Sequence, residues 1–369
     1  MIEKVLNIAS HKFTTKKEKS ELRAVDFFCS GGGMSFGMQQ AGINIIAGID
    51  CDPDCKETYE ANIKGAKYIL ADVYKLKEED LSKEVYIKKN DDNLVMIGCS
   101  PCQYWTIIRT TKDKSIQSKD LLHEFHRFVK FYNPGYVVVE NVPGILRRTK
   151  ESGLDVFIND LKKRGYSVHY EIVNLNNYGV PQTRKRFSLI ANRVNKKEIF
   201  PKIDNSCPIV SDFIGEKNGF PKILAGHKDL TEFRHTAAGL SDKNLKRLKL
   251  TPINGGSRKS WANTKLQLEA YKKNKGNVSF NDTYGRMSWE KPAPTITTKF
   301  FSISNGRFAH PEENRPISLR EGAVLQTFTK NYKLLVRSIS KTAKIIGNAV
   351  PPIYAEKIGL TIIEDRYGK

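Results

Sequence analysis

Apolar runs of strand length recur along the first half of the chain, at Ala24–Phe28, Ile43–Ile49, Leu94–Ile97, Tyr136–Val139, Val168–Val173 and Phe187–Ala191. Helical periodicity fills several of the spaces between them. In Leu121–Phe131 the side chains of Leu121, Leu122, Phe125, Phe128 and Val129 share one face, and Met34–Ala41 reads as a helix too. Strands alternating with helices predict an α/β fold, a mainly parallel sheet with helices on both faces. Ligands of such sheets sit beyond the carboxyl ends of the strands.

The pattern changes at residue 193. From there to Pro316 the chain is irregular and rich in Lys, Asn, Gly and Pro, with short β-like pieces such as Thr295–Thr298. Lys243–Lys275 holds ten Lys or Arg against one acid, Glu269. This reads as a separate basic module, with a merely solvated charged face as the bland alternative. Ala355–Ile363 then returns to helical periodicity.

Charge sharpens the picture. The 369 residues carry 61 Lys plus Arg against 40 Asp plus Glu, a net charge of +21 that leans towards a nucleic-acid partner. The length allows two or three domains at roughly 100–200 residues each. No apolar run approaches the 18 or so residues of a spanning helix. The first twenty residues lack an apolar core and a cleavage site, so a cytoplasmic protein without a membrane anchor is expected. Six cysteines, Cys29, Cys51, Cys55, Cys99, Cys102 and Cys207, are too irregular for a disulfide scaffold. No His or Cys pair completes the zinc spacing that Cys99-x2-Cys102 begins, so no metal is expected.

Four clusters carry candidate chemistry. Asp26-Phe-Phe-Cys-Ser-Gly-Gly-Gly-Met-Ser-Phe-Gly37 ends a strand in glycines and opens a helix, which suits a ligand cradle or simply a tight turn. Asp50, about 20 residues further on, is placed to accept from ribose hydroxyls. Asp72 could accept from an adenine amino group, or serve as a turn aspartate. The loop departs from Gly-x-Gly-x-x-Gly and few phosphate-binding cues accompany it, so S-adenosylmethionine is preferred over a dinucleotide.

In Gly98-Cys-Ser-Pro-Cys-Gln103, Pro101 fixes the backbone before Cys102, which reads as a nucleophile or a small buried hydrophobe. Glu140-Asn-Val-Pro-Gly144 places a carboxyl directly after a strand, where an apolar pocket would keep it protonated. In Gln182-Thr-Arg-Lys-Arg186 the alternate residues Gln182, Arg184 and Arg186 point one way if the segment is extended.

In this order the clusters resemble the DNA (cytosine-5)-methyltransferase family. Arg320-Glu-Gly-Ala-Val-Leu-Gln-Thr-Phe328 and Ile346-Gly-Asn-Ala-Val-Pro-Pro352 match its two C-terminal signatures, and the likeness runs from Arg23 to Ile363. The resemblance implies a Rossmann-like, S-adenosylmethionine-dependent methyltransferase domain from residues 1–192 and 317–369, discontinuous in sequence. Residues 193–316 would form a smaller, irregular, β-containing target-recognition domain. It implies Cys102 as nucleophile, Glu140 as acid, and Arg184 and Arg186 as the clamp on the cytosine carbonyl and a nearby phosphate. Phe28, Gly32, Gly33, Asp50, Asp72, Pro101 and Asn348 would surround the cofactor, whose product is S-adenosylhomocysteine. Tyr104-Trp-Thr106 and Ser30 depart from the usual residues without removing a group the chemistry needs.

Expected partners are duplex DNA and a restriction endonuclease that shares the site without touching this chain, which would act as a monomer. Two rivals fit part of this pattern: a tRNA cytosine-5 methyltransferase of the same fold, and a catalytically silent DNA-binding regulator. A nucleotide-dependent oxidoreductase would explain the glycine loop alone.

Overall fold

The computed structural model describes residues 21–101, 120–269 and 282–368. Its strands are β1 (Arg23–Phe27), β2 (Asn44–Asp50), β3 (Lys67–Leu70), β4 (Leu94–Gly98), β5 (Tyr136–Asn141), β6 (Ser167–Asn174), β7 (Gln182–Thr183), β8 (Lys185–Asn192) and β9 (Ala293–Pro294). Its α-helices are α1 (Gly33–Ala41), α2 (Lys56–Asn62), α3 (Glu78–Glu84), α4 (Leu121–Tyr132), α5 (Thr149–Ser152), α6 (Leu154–Lys163), α7 (Asp242–Lys249), α8 (Leu319–Leu325), α9 (Ile339–Asn348) and α10 (Pro352–Tyr367). Seven strands form one sheet in the order β3-β2-β1-β4-β5-β8-β6. All run parallel except β8, which is antiparallel to both β5 and β6.

The central strands are mostly apolar because helices cover both faces, with Asp26, Glu140 and Asn141 as buried polar exceptions. Every residue of β4 and β5 is buried. On one face α4 turns Leu122, Phe125, Phe128 and Val129 inward, and Phe27 meets the Phe125 and Phe128 rings at 5.3 and 4.9 Å. Each such side chain withdrawn from water contributes roughly 1.5–3 kcal/mol. The helix stops at Asn133, which takes the left-handed conformation (φ 47°) that asparagine tolerates.

On the other face α10 returns to the N-terminal α1. A Cβ at Gly37 would stand 2.2 Å from the Pro352 carbonyl oxygen, and one at Gly359 would stand 2.6 Å from Ala41 Cβ. Small residues therefore set how closely the two helices approach.

The described residues between 193 and 316 contain little regular structure. A buried cluster joins Val210, Ile214, Phe220, Phe300 and Phe308 to Leu319, Val324, Leu325, Phe328 and Ile346, so one core lies on both sides of residue 316. A smaller core gathers Leu248, Trp261, Tyr284, Ile303 and Ala309. Arg286, 1% exposed, satisfies the carbonyls of Leu248, Thr251 and His310 in place of a sheet ladder.

One expected strand is absent. Thr295–Thr298 is not a strand, and the ladder there is confined to β9 paired with β7. The reason is local: side chains take the backbone groups of Ile296, its N–H donating to Gln182 Oε1 (2.9 Å) and its carbonyl accepting from Arg184 Nη1 (3.1 Å). No helix among the described residues is long and apolar enough to cross a membrane.

Candidate active site at the carboxyl ends of the strands

The turn from β1 into α1 is shaped by three left-handed residues, Phe28 (φ 62°), Ser30 (φ 47°) and Gly32 (φ 90°). For Phe28 and Ser30 that conformation costs of order 1–3 kcal/mol each, a concentration of strain typical of ligand-shaping turns. Gly32 takes it freely. Gly33 serves packing: a Cβ there would lie 2.5 Å from the Val350 carbonyl oxygen and 2.8 Å from Ala349 Cβ. The glycine run thus seats the C-terminal Ile346–Pro352 segment as well as opening the turn.

Asp50 ends β2 and is half-buried. Its Oδ2 accepts from Ser30 N–H and its Oδ1 from Asp52 N–H, both at 2.9 Å. Burial pushes its carboxyl above the ordinary range, opposed by those two amides and by Lys344. Asp72 lies exposed just past β3, its Oδ1 accepting from Tyr74 N–H at 3.1 Å. Phe28 is half-buried, while Pro101 beyond β4 and Asn348 at the end of α9 are exposed.

On the other side of the sheet's midpoint, Glu140 lies inside β5 rather than after it, opposite Ser188 of β8. Arg186, near the start of that antiparallel strand, brings Nε to 3.1 Å from Glu140 Oε1. Burial raises the Glu140 carboxyl above the ordinary glutamate range, and Arg186 and Arg184 partly offset this. Its neighbour Asn141 donates through Nδ2 to Ser100 Oγ (3.1 Å) and to the Ser100 carbonyl (3.3 Å). The β5 terminus is thereby tied to the segment two residues before Cys102. Cys102 itself lies outside the described residues, as does the Gln103–Lys119 stretch.

Gln182 and Arg184 alternate with exposed Thr183 and Lys185, as an extended segment requires. Both turn inward. Gln182 Nε2 donates to Gln326 Oε1 and to the Leu325 carbonyl, each at 2.7 Å, and Gln326 Nε2 donates to the Ala349 carbonyl at 2.6 Å. Arg184, 2% exposed, donates through Nη2 to that same carbonyl at 3.2 Å. The pairings of Asn141 with Ser100 and of Gln182 with Gln326 leave no signal in the sequence, because the partners stand 41 and 144 residues apart.

Asp50 and Asp72, the two acids expected at a cofactor, have the acceptor capacity that an adenosine-bearing ligand needs. Each Asp50 oxygen has accepted one backbone amide and keeps lone-pair capacity for a hydroxyl, which a vicinal diol needs. Asp72 keeps one oxygen uncommitted among the hydrogen bonds described, and both acids stand at carboxyl ends of neighbouring parallel strands.

Comparison with known proteins follows the same line. The family model described as C-5 cytosine-specific DNA methylase matches residues 22–364. The chain is 34% identical over 343 residues to the type II methylase M.HgiDII of Herpetosiphon aurantiacus, covering 92% of this chain and 94% of that protein. It is 28% identical over 348 residues to the type II methyltransferase M1.HphI of Haemophilus parahaemolyticus, covering 93% and 87%. Among solved structures, a protein described as a DNA-modification methyltransferase of an E. coli prophage superimposes with a TM-score of 0.69 at 20% identity, covering 94% of this chain and all of that one. A Spodoptera frugiperda DNMT2 mutant gives 0.61 at 15% identity, covering 93% of this chain. At those identities the likeness establishes the fold, a mostly parallel methyltransferase sheet.

Proposed function

This chain belongs to the C-5 cytosine-specific DNA methylase family and is a DNA cytosine methyltransferase of the type II restriction–modification kind; from that premise we propose that Cys102, Glu140 and Arg186 form its reaction centre. S-adenosylmethionine, whose use the family implies, supplies the methyl group from its sulfonium. The observation that carries the assignment is the convergence at β5: Glu140 beside Arg186, and Asn141 bonded to the Ser100 that precedes Cys102.

The chemistry follows from the substrate. Carbon 5 of cytosine is a poor nucleophile within an aromatic ring. The Cys102 thiolate adds to carbon 6, forming a C–S bond and pushing an electron pair into the ring, so that carbon 5 becomes enamine-like. Glu140 donates to ring nitrogen 3 and offsets the charge that addition creates. Arg186 holds the carbonyl with planar donors. Arg184 steadies the strand that carries Arg186, through Ile296 and Ala349. After methylation, loss of the carbon 5 proton to solvent expels Cys102 and restores the ring. The base must first leave its stack, at a cost of a few kcal/mol.

Phe28, Gly32, Gly33, Asp50, Asp72, Pro101 and Asn348 are the proposed cofactor contacts. The proposed division is a catalytic domain of residues 1–192 and 317–369 and a recognition domain of residues 193–316, the latter supplying the basic surface for duplex DNA. A cytoplasmic monomer paired with a restriction endonuclease of the same target is the expected setting. Bisulfite sequencing of plasmid from cells expressing the chain tests the function and reveals the target. Duplexes carrying 5-fluorocytosine at that target should become crosslinked to wild type and remain free of the Cys102→Ala variant.

A further inference from the structure

We propose that Lys344 is a positioning residue for the cofactor: by gripping Asp52 it holds α9 against the β2 loop and so sets Asn348 opposite Asp50. This rests on the assignment of Asp50 and Asn348 to the cofactor given above.

Three acids follow one another at the end of β2, namely Asp50, Asp52 and Asp54. Two lysines of α9 answer them. Lys344 Nζ lies 2.7 Å from Asp52 Oδ2, and Lys341 Nζ lies 2.8 Å from Asp54 Oδ2. Asp52 is also the residue whose backbone N–H orients Asp50, donating to its Oδ1 at 2.9 Å. A displacement of Asp52 therefore reaches the Asp50 carboxylate directly. Asn348 stands four residues beyond Lys344, on the same exposed face of α9. One ion pair thus spans the two candidate cofactor residues, which enter the site from opposite parts of the chain.

The charge has a second consequence. Lys344 is the cation acting on Asp50, Asp52 and Cys55 together, so it lowers the mutual repulsion of acids packed within five residues. Neighbouring contacts fix the rest of the α9 approach: Lys333 N–H donates to Asn62 Oδ1 at 2.8 Å, Leu335 N–H donates to Thr58 Oγ1 at 3.2 Å, and a Cβ on Gly31 would lie 2.3 Å from Ile345 Cγ2. With α9 already anchored this way, the half-exposed ion pair adds little to global stability. Its work is local.

The test uses the full chain and titrates S-adenosylhomocysteine calorimetrically into wild type, Lys344→Ala and Lys344→Arg, at low and high salt. The positioning role requires the Kd of Lys344→Ala to rise about fivefold, with Lys344→Arg restored to within about twofold and the unfolding midpoint nearly unchanged. Added salt should weaken binding in wild type and flatten in Lys344→Ala, since screening acts on the pair. In steady state, KM for S-adenosylmethionine should rise with kcat on DNA preserved. Equal affinity for the three proteins overturns the proposal, as does a loss of affinity that Lys344→Arg fails to restore. Failure of wild type itself to bind the thioether instead overturns the cofactor assignment beneath it.

Discussion

Arg184 donates through Nη2 to the carbonyl of Ala349, 165 residues further along the chain, at 3.2 Å. Its Nη1 donates to Ile296, which in turn donates to Gln182. The strand bearing Arg186 is thus pinned to the C-terminal signature and to the last part of the recognition segment at one buried point. Arg184→Leu would take the donor from the buried Ile296 carbonyl, at about 1–3 kcal/mol, while the Ala349 carbonyl keeps the shorter bond from Gln326 Nε2. Urea unfolding should show a loss of roughly 1–3 kcal/mol. Methylation at a temperature where the variant remains folded should fall as well, because Arg186 loses its support.

Glu140 and Arg186 share a different relation, an ion pair inside the proposed reaction centre. Glu140→Ala should lower the methylation rate by about 10²–10⁴, the usual range for a lost general acid, with cofactor binding unchanged. Arg186 favours the ionised carboxylate, so Arg186→Gln removes a cation that lowers the Glu140 pKa. The alkaline limb assigned to Glu140 in the pH–rate profile should therefore move to higher pH in Arg186→Gln. A limb that stays in place would assign that titration to another group.

Much of the fold was legible because burial on both faces writes continuous apolar runs. The β4 and β5 runs stood out for that reason, and Leu121–Phe131 matched α4 closely. Strand β3, with only Tyr68 and Ile69 buried and charge or exposure at its ends, left no comparable run. Glu140 read as following its strand because a carboxylate interrupts the apolar pattern, yet the backbone pairing continues to Asn141 opposite Phe187. Periodicity reports burial, whereas strand ends are set by hydrogen bonds. The site was legible as an ordered set of motifs. What stayed hidden was which of its polar groups face inward: Gln182 read only as pointing the same way as Arg184 and Arg186, and its partners Ile296 and Gln326 lie 114 and 144 residues away.

Asp26 makes stability depend on pH in a definite sense. Its side chain is fully buried in β1, accepting from Ser35 Oγ at 2.6 Å, and burial raises its pKa to about 7. Between pH 4 and 7 the native state keeps a proton that the unfolded chain has released. Stability from this group is therefore fully present below its unfolded pKa and is lost as pH rises through about 7, at about 1.4 kcal/mol per pH unit within that window. Asp26→Asn, which does not titrate, should remove this slope. Thermal unfolding of both proteins between pH 5 and 8 checks it. His310 acts in the opposite direction: burial lowers its pKa to about 4, so its contribution is lost as pH falls from its unfolded value through about 4. Parallel curves for wild type and Asp26→Asn would show that Asp26 ionises normally.

The last prediction concerns where the excess positive charge acts. Lys243, Lys246 and Lys249 lie at three-residue intervals on α7 and are all exposed, while Arg247 and Leu248 are buried behind them. Arg247 is held in place, its Nε donating to the Leu266 carbonyl at 2.8 Å and its guanidinium 5.4 Å from the Trp261 ring centroid. The helix therefore presents three lysines from a fixed base, about 4.5 Å apart along its axis. If each neutralises a phosphate, its replacement by Ala should weaken DNA binding equally for target and unrelated duplexes. The slope of log K against log salt should shrink by about one for each lysine removed. Fluorescence anisotropy across a salt series measures this. A lysine that reads bases would behave differently: its loss would reduce discrimination between duplexes. A lysine that faces only water would leave both slope and affinity unchanged, and that outcome for all three would move the DNA surface away from α7.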